Sequence, residues 1–336
     1  MTSRLASIAL VLLLAAPLRA ELQTVLAPDS TLYAIDGAAE QERLEVARRI
    51  GDKTEALLVP GTDDEAIESE ARLLWDGATS TLFVVWHSVG ADRDAILLAT
   101  FDAEGKWSEP VEIASSASQR RAGLQAVLAR ATVTSENEEG STSQATLIHA
   151  AWWSVGSELT AEYALVAFEA GQHVSTEVAK LDDLAAIRSV ASLDELEETG
   201  APLHPPLAIA RSAAGAVEIV YGAPSSTRLT RVRVEPRRVA GDARIWRPGR
   251  SESERTGPAR LIAADAAPVQ AFISKGRIAL YDPAGKFRYV VYENGKWTPE
   301  RMIQLDAQVT SDKLLRELRR VVEEEPEAAT DAVEQK

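Results

Sequence analysis

The sequence predicts an all-β protein, a β-propeller of about five to six four-stranded antiparallel blades, on three observations. Its apolar segments are short, rich in Val, Ile, Leu and aromatic residues, and separated by Gly, Asp, Pro or Ser, which is typical of strands and turns. These segments form sets of four whose connections are too short for parallel crossovers. One turn motif recurs from set to set, and such repetition is typical of propellers. A β-sandwich is the alternative, although that fold needs no internal copies.

The first 20 residues have the layout of a secretory signal peptide. Arg4 precedes an apolar run over residues 5–16, and Pro17 and the small residue Ala20 follow it. The run is shorter than the ~20 apolar residues that span a bilayer. We therefore expect cleavage after Ala20, no stable membrane insertion afterwards, and a bacterial protein that is periplasmic or secreted. A retained membrane anchor is the alternative.

The composition excludes several classes of function. Hydrophobic residues make up 46% of the chain and charged residues 26%, as in a packed globular protein. The absence of cysteine excludes disulfides, thiolate nucleophiles and Cys-ligated metals. The formal net charge of −15 opposes binding to nucleic acid, which requires an excess of Lys and Arg. We expect a monomer whose core burial alone stabilises the fold.

Five strand sets follow the signal peptide, and we assign residues 21–308 to the propeller. The sets cover residues 25–59, 70–113, 124–180, 206–246 and 259–292, and the first of them is the most degenerate. Residues 183–200 interrupt the pattern, and their composition predicts a short helix or an acidic loop.

The chain beyond the propeller, residues 309–336, has a different pattern. Apolar residues recur at helical spacing from Ser311, and Pro326 ends the predicted helix. The remaining residues predict a disordered acidic tail.

The recurring turn motif consists of a ring, an acidic residue, a short spacer, Gly, then Lys or Gln, and a second ring. It occurs at residues 101–107, 168–173, 281–287 and 292–297. Gly supplies the positive φ of a tight hairpin turn, and the two rings can pair across the strands. The last two copies bracket one strand, which is the arrangement of a meander.

The turn with the strand after it, residues 101–113, resembles the Asp-box element of the sialidase-like β-propeller superfamily, as do residues 295–299. The likeness covers the turn and the blade layout, but Asp102 precedes Gly105 by three positions instead of two. In that superfamily the box is a structural turn, so the resemblance implies a fold and not an activity. Its sialidases use three arginines, a Tyr–Glu pair and an acid, and none of these can be assigned here. The catalytic residues are unknown.

The four candidate binding residues are Trp86, His87, Trp152 and Trp153. The segment Trp-His-Ser-Val-Gly that begins at Trp86 recurs as Trp-Trp-Ser-Val-Gly from Trp152, 66 positions later. Adjacent residues of a strand point to opposite faces, so we expect one of the two neighbouring tryptophans in the core and the other exposed or between blades. An exposed ring could stack on a sugar or bind a peptide. Packing between blades is the alternative and the commoner role of large rings.

The sequence indicates no metal and no cofactor. The four histidines are scattered, without the spacing of a zinc site. Four aspartates stand in turn contexts, where Asp binds its own backbone: Asp36, Asp76, Asp102 and Asp282.

The function that the sequence favours is an exported, non-catalytic propeller that presents loops for binding a protein or a glycan. The alternative is a glycoside hydrolase of sialidase-like or five-bladed type, with two or three carboxylates around a central funnel. A third possibility is an assembly component of the cell envelope.

Overall fold

A computed structural model of the chain describes the residues that carry its sheets. They are residues 22–37, 40–62, 65–134, 142–156, 158–185, 191–192, 206–212, 215–222, 229–239, 242–256, 270–274, 277–281 and 288–302. The predicted signal peptide, the predicted C-terminal helix with its acidic tail, and most of the segment 183–200 lie outside these residues.

Within the described residues, the strands form five antiparallel sheets, each built on four strands in chain order. The first sheet contains β1 (Leu22–Leu26), β2 (Leu32–Asp36), β3 (Glu45–Ile50) and β4 (Lys53–Leu58). The second contains β5 (Ile67–Asp76), β6 (Thr81–Val89), β7 (Asp94–Phe101) and β8 (Val111–Ser116). The third contains β9 (Arg120–Thr134), β10 (Thr142–Val155), β11 (Glu158–Glu169) and β12 (Gln172–Lys180), with the short β13 (Ala191–Ser192) paired to β11.

The fourth and fifth sheets follow a short helix, α1 (Leu181–Ala185). The fourth sheet contains β14 (Leu207–Arg211), β15 (Val217–Gly222), β16 (Leu229–Val239) and β17 (Asp242–Arg255). The fifth contains β18 (Gln270–Ser274), β19 (Arg277–Tyr281), β20 (Arg288–Glu293) and β21 (Lys296–Trp297), with β22 (Arg301–Met302) paired to β20. No helix in this part of the chain is long and apolar enough to cross a membrane.

The prediction of an all-β protein made of antiparallel sets of four is confirmed, and two details differ. The fourth sheet extends to Arg255, beyond the predicted set that ends at residue 246. The fifth sheet uses Lys296–Trp297 as its fourth strand, beyond the predicted set that ends at residue 292, whereas the start of that set, residues 259–269, lies outside the described residues. A strand of two residues is too short to produce an apolar pattern. None of the described sheets closes on itself.

Three copies of the turn motif are hairpin tips, as predicted. Gly105, Gly171 and Gly295 have φ values of 79°, 78° and 77°. The flanking rings meet across the strands, with centroids 5.0 Å apart for Phe101 and Trp107 and 5.2 Å apart for Tyr292 and Trp297. The remaining copy, at residues 281–287, lies largely outside the described residues.

Within the described ranges, the core consists of four apolar clusters, each between two consecutive sheets. Central strands supply both of their faces. On β6, Leu82 and Val84 pack toward the first sheet, whereas Phe83 and Val85 pack toward the third. A strand buried on both faces has no polar alternation, which explains the unbroken apolar run of β6.

Consecutive sheets stack in one direction along the chain. Their first strands contact one another: β1 with β5, β5 with β9, β9 with β14, and β14 with β18. The outer strands β8, β12 and β17 make a second line of contacts. The strand ends of neighbouring sheets are therefore brought to a common edge, where loops of different sheets lie side by side.

Candidate functional site

An open pocket of about 240 Å³ lies at one end of the second sheet. In this antiparallel sheet, the start of β5, the end of β6 and the start of β7 share one edge. At these strand ends and their connections, the pocket is lined by the charged and polar residues Glu65, Ser88, Asp92 and Arg93 together with the small residues Ala66, Gly90 and Ala91. On the neighbouring strand β8, Glu112 forms an ion pair with Arg93, and about half of each side chain is exposed. The pocket rim is thus polar and accessible.

A buried polar cluster lies beside this pocket, between the second and third sheets. His87 Nε2 is 3.0 Å from Asp94 Oδ1, and both side chains are buried. Arg121, on the first strand of the third sheet, donates from Nη1 to the Asp94 carbonyl oxygen at 2.6 Å and to Oδ1 at 3.3 Å. Its backbone N–H donates to Asp94 Oδ2 at 3.2 Å. Asp94 therefore joins β6, β7 and β9 at a single carboxylate.

The surroundings of Asp94 favour its ionised form. Burial raises its pKa, but the hydrogen bond and charge of His87 and the hydrogen bonds from Arg121 outweigh burial and hold the pKa below its ordinary value. The side chain of Arg121 is 4% exposed, so the ionised carboxylate supplies the countercharge that a buried guanidinium requires.

Ser69 extends the cluster on its other side. Its Oγ lies 3.5 Å from His87 Nδ1, at the limit of a hydrogen bond. The order of groups, hydroxyl, imidazole and carboxylate, is that of a nucleophilic triad. Here the carboxylate also binds a buried guanidinium, and the imidazole is 6% exposed. The arrangement is that of an inter-sheet clamp which fixes the strand ends under the pocket.

Two glutamates of β5 tie the same region together. Ser88 donates to Glu68 Oε1 at 3.1 Å. Glu70, in a left-handed conformation with φ of 50°, accepts from the backbone N–H groups of Gly123 at 2.9 Å and Leu124 at 2.8 Å. The strained backbone at Glu70 thus aims its carboxylate at the third sheet.

The four residues that the sequence analysis singled out all lie in the interior. Trp86 and Trp152 are fully buried, Trp153 is 3% exposed and His87 is 6% exposed. The neighbouring tryptophans of β10 point to opposite faces as expected, Trp152 toward the second sheet and Trp153 toward the fourth. His87 precedes the pocket residue Ser88, but its side chain faces the third sheet and does not line the pocket. The tryptophans pack between sheets. A binding role for these residues stays a prediction.

Sequence reasoning missed the partners of His87. Asp94 and Arg121 are 27 positions apart, so no local motif connects them. The available signal was Asp94 itself, a carboxylate at the start of a strand in which every residue is buried. A carboxylate in such a position requires a partner.

A second buried histidine lies between the third and fourth sheets. His149 Nδ1 is 2.6 Å from the hydroxyl of Tyr163, and both residues are fully buried. Desolvation lowers the pKa of His149 to about 3, while the backbone of Gly215 opposes this shift. Desolvation also raises the pKa of Tyr163 well above its ordinary value. Both groups are therefore neutral over the physiological pH range.

The structure supports a turn role for two of the four predicted aspartates. Asp102 Oδ1 accepts from the backbone N–H groups of Glu104 and Lys106, both at 2.9 Å. Asp76 Oδ1 accepts from Ala78 N–H at 3.0 Å, and this carboxylate also contacts Thr146 and Arg130 of the third sheet. In the part of the chain that is described, no group of three or more histidines and carboxylates is arranged to hold a metal ion.

No family model and no curated protein matches this chain. Among solved structures, it is similar to the crystal structure of polysaccharide lyase Uly1, at 10% sequence identity and a TM-score of 0.31. The match covers 86% of this chain and 78% of that chain.

Proposed function

We propose that this protein is an exported, non-catalytic β-propeller that presents loops for binding a glycan or a protein. The stacking of the sheets supports a propeller. Each sheet is a meander whose first strand contacts the first strand of the next sheet, as it does in blades arranged around a common axis. A periplasmic or secreted location rests on the signal-like residues 1–20. The protein acts as a monomer.

The open pocket at the end of the second sheet carries the binding proposal. Its rim offers hydrogen-bond donors and acceptors from Arg93, Asp92, Glu65 and Ser88, which suit the hydroxyl groups of a sugar or the backbone of a peptide. Loops held by a rigid scaffold are the usual site of such recognition. Beneath the rim, the clamp of His87, Asp94 and Arg121 provides that rigidity.

The clamp also supports a non-catalytic role. A general base needs a hydrogen-bonding position open to the substrate. His87 Nε2 is hydrogen bonded to Asp94, Nδ1 lies 3.5 Å from Ser69 Oγ, and the ring is almost completely buried, so neither nitrogen is open to a substrate. The buried polar groups of the clamp are hydrogen bonded to one another, and the exposed polar groups are those of the pocket rim.

The test is a titration of neutral, uronate-bearing and sulfated oligosaccharides, followed by calorimetry and by an assay for newly formed reducing ends. We expect binding without bond cleavage, and loss of binding in the double variant Asp92→Ala, Arg93→Ala. The matched control is Glu104→Ala, Lys106→Ala, which removes an exposed ion pair at the opposite end of β7.

Each outcome has a distinct meaning. Release of reducing ends would show that the protein cleaves glycans and would overturn the non-catalytic proposal in favour of an enzyme, of which the glycoside hydrolase is the alternative considered above. Binding that survives the pocket variant, or that is lost equally in the control, would show that the pocket is not the site. If no oligosaccharide binds, the glycan half of the proposal is wrong.

A further inference from the structure

The hairpin of β16 and β17 is basic in a strongly acidic chain. Its two strands contain eight arginines and four acidic residues, a formal excess of 8 − 4 = +4, whereas the whole chain has a net charge of −15. The hairpin also extends well beyond the strands that the apolar pattern predicts. Four of these arginines have carboxylate partners: Arg231, Arg233, Arg238 and Arg247. Their partners Glu218, Glu169 and Glu177 lie outside the hairpin, so the basic face considered below is the exposed part of the hairpin around Arg237 and its cross-strand neighbour Arg247.

Two arginines of this hairpin stand directly opposite each other. Arg237 and Arg247 are cross-strand partners, and both are exposed. Like charges in such a pair destabilise a sheet unless an anion lies between them. Glu177 is 3.8 Å from Arg247 Nε. Among the described residues, no carboxylate lies within ion-pair distance of Arg237.

A glycine shapes the surface beside this pair. A Cβ atom at Gly249 would lie 2.7 Å from Arg237 Nε and 2.9 Å from its Cδ. The side chain of Arg237 therefore lies flat over the Gly249 backbone, in space that only glycine leaves open. This contact fixes the direction in which the guanidinium points.

The fifth sheet adjoins the same face of the hairpin. Tyr292 of β20 donates to Glu254 Oε1 at 3.4 Å, and Glu254 pairs with Arg231. Arg231 and Arg237 occupy alternate positions of one strand and so share a face. The last described strand, Arg301–Met302, pairs with β20. The described part of the chain therefore ends in the sheet that adjoins the basic face.

We propose that the acidic segment at residues 323–327, Glu-Glu-Glu-Pro-Glu, docks on the basic face of the β16–β17 hairpin through Arg237 and Arg247. The segment begins 21 residues after Met302. From Met302 to Ser311, where the predicted helix begins, an extended chain reaches up to ~30 Å at ~3.3 Å per residue. The predicted helix adds ~18 Å up to position 323, at ~1.5 Å per residue, so the linker reaches up to ~48 Å and does not prevent contact. The docking is independent of the binding role proposed above.

Charge and connectivity favour this occupant over a separate polyanion. A long polyanion on the hairpin would also meet the rest of the chain, which is strongly negative, and would be repelled by it. A short acidic segment contacts only the arginines and does not extend over the negatively charged remainder of the chain. Because it belongs to the same chain, its effective concentration is high without any partner.

The absence of native cysteine allows the docking to be measured in the full chain. Spin labels at Ser253→Cys on β17 and Ala329→Cys beyond the acidic segment report one distance. At about 0.01 M salt, where the Debye length is about 30 Å, we expect a narrow distance distribution. The distance distribution should broaden at about 1 M salt, where the Debye length is about 3 Å. It should also broaden in the double variant Arg237→Gln, Arg247→Gln at low salt. Arg49→Gln, an exposed arginine of the first sheet, is the matched control and should leave it narrow.

Binding of a short poly-glutamate peptide tests whether the acidic segment occupies the hairpin. The variant with Gln at positions 323, 324, 325 and 327 should bind the peptide more tightly than the wild type, because the hairpin is then free. On that background each arginine removed should weaken binding about 1.5- to 5-fold. Gly249→Ala, which keeps both charges but displaces Arg237, should weaken it as well.

Two results would overturn the docking. One is a broad distance distribution at low salt that is identical in the wild type and the arginine variant. The other is equal affinity of the peptide for the wild type and the tail variant, which would assign the hairpin to a separate acidic partner or to none. Circular dichroism and thermal unfolding of every variant confirm that the sheets are intact.

Discussion

The ends of β6 and β10 are copies of one another in sequence, yet they produce different interfaces. Trp86 and Trp152 occupy equivalent positions and point toward the preceding sheet in both cases. The next residue points toward the following sheet. It is His87 on β6, which binds Asp94 and Arg121, and Trp153 on β10, which packs edge-on against Tyr221 with ring centroids 6.4 Å apart.

The comparison shows how the residue at one position of a repeated strand decides which contact that position makes to the following sheet. The serine that follows is equivalent in both copies, since Ser88 donates to Glu68 and Ser154 donates to Gln119. With imidazole before it, this position of the second sheet makes a buried charged contact to the third sheet. With indole before it, the same position of the third sheet makes a ring contact to the fourth sheet. A repeated backbone can therefore hold either a rigid polar clamp or an ordinary core.

The largest expected effect comes from breaking the buried charged contact. Asp94→Ala leaves the buried guanidinium of Arg121 without its countercharge, and we expect a loss of about 3 to 5 kcal/mol in the free energy of unfolding. Urea unfolding measures it. Asp102→Ala removes an exposed turn carboxylate and serves as the control, with a much smaller loss.

A double-mutant cycle decides whether the pair itself is responsible. Arg121→Met on the Asp94→Ala background should recover part of the lost stability, because it removes the unpaired charge. If Asp94→Ala and Asp102→Ala cost the same, the buried charged contact does not stabilise the protein and the contrast with the ring contact disappears.

The next effect concerns pH and distinguishes the two buried histidines by their partners. His149 has a hydroxyl as its partner where His87 has a carboxylate. The pKa of His149 is about 3 in the folded protein and 6.5 for the ordinary group. The unfolded chain therefore binds the extra proton first, and stability falls as the pH drops from 6.5 toward 3. At pH 4 the loss is about 3 kcal/mol, at 1.36 kcal/mol per pKa unit.

The measurement compares unfolding free energies at pH 7 and pH 4. His149→Gln carries no titrating group, so its acid-induced loss should be smaller than that of the wild type by about 3 kcal/mol. Tyr163→Phe should retain most of the wild-type loss, because desolvation and not the hydroxyl causes the shift. Parallel stability curves for the wild type and His149→Gln would contradict this assignment.

The sequence predicted the repetitive parts of this fold well. Four-strand grouping and turn chemistry depend on local signals, as the turn between Phe101 and Trp107 illustrates: its ring pair, its Asp102 and its Gly105 all behave as expected. Opposite directions for Trp152 and Trp153 follow from strand geometry alone. In each of these cases, interactions between residues close in sequence were sufficient for the prediction.

The candidate site could not be predicted in the same way. The clamp joins His87 to Arg121 through Asp94. His87 and Asp94 lie on paired strands of the second sheet, but Arg121 meets them only because the second and third sheets pack face to face. The basic hairpin was also underestimated, since its apolar pattern ends near Val234 while pairing continues to Val239. Exposed strand residues have no periodic apolar signal, so the strand limits there depend on pairing alone.

The smallest effect tests whether the second and third sheets are copies in their turns as well as in their strands. Gly105 and Gly171 both have positive φ, and a Cβ atom would meet nothing closer than 3.8 Å at Gly105 and nothing within 4 Å at Gly171. Alanine at either position therefore adds backbone strain without a clash, and we expect equal losses of about 1 to 2 kcal/mol in thermal unfolding. Gly90→Ala is the control, since its φ lies outside the left-handed region and its Cβ has room, so it should change stability by about 0.5 kcal/mol or less. A large difference between the stability losses of Gly105→Ala and Gly171→Ala would mean that the two turns contribute differently to the stability of the fold. The likeness of the two sheets would then be limited to their strands.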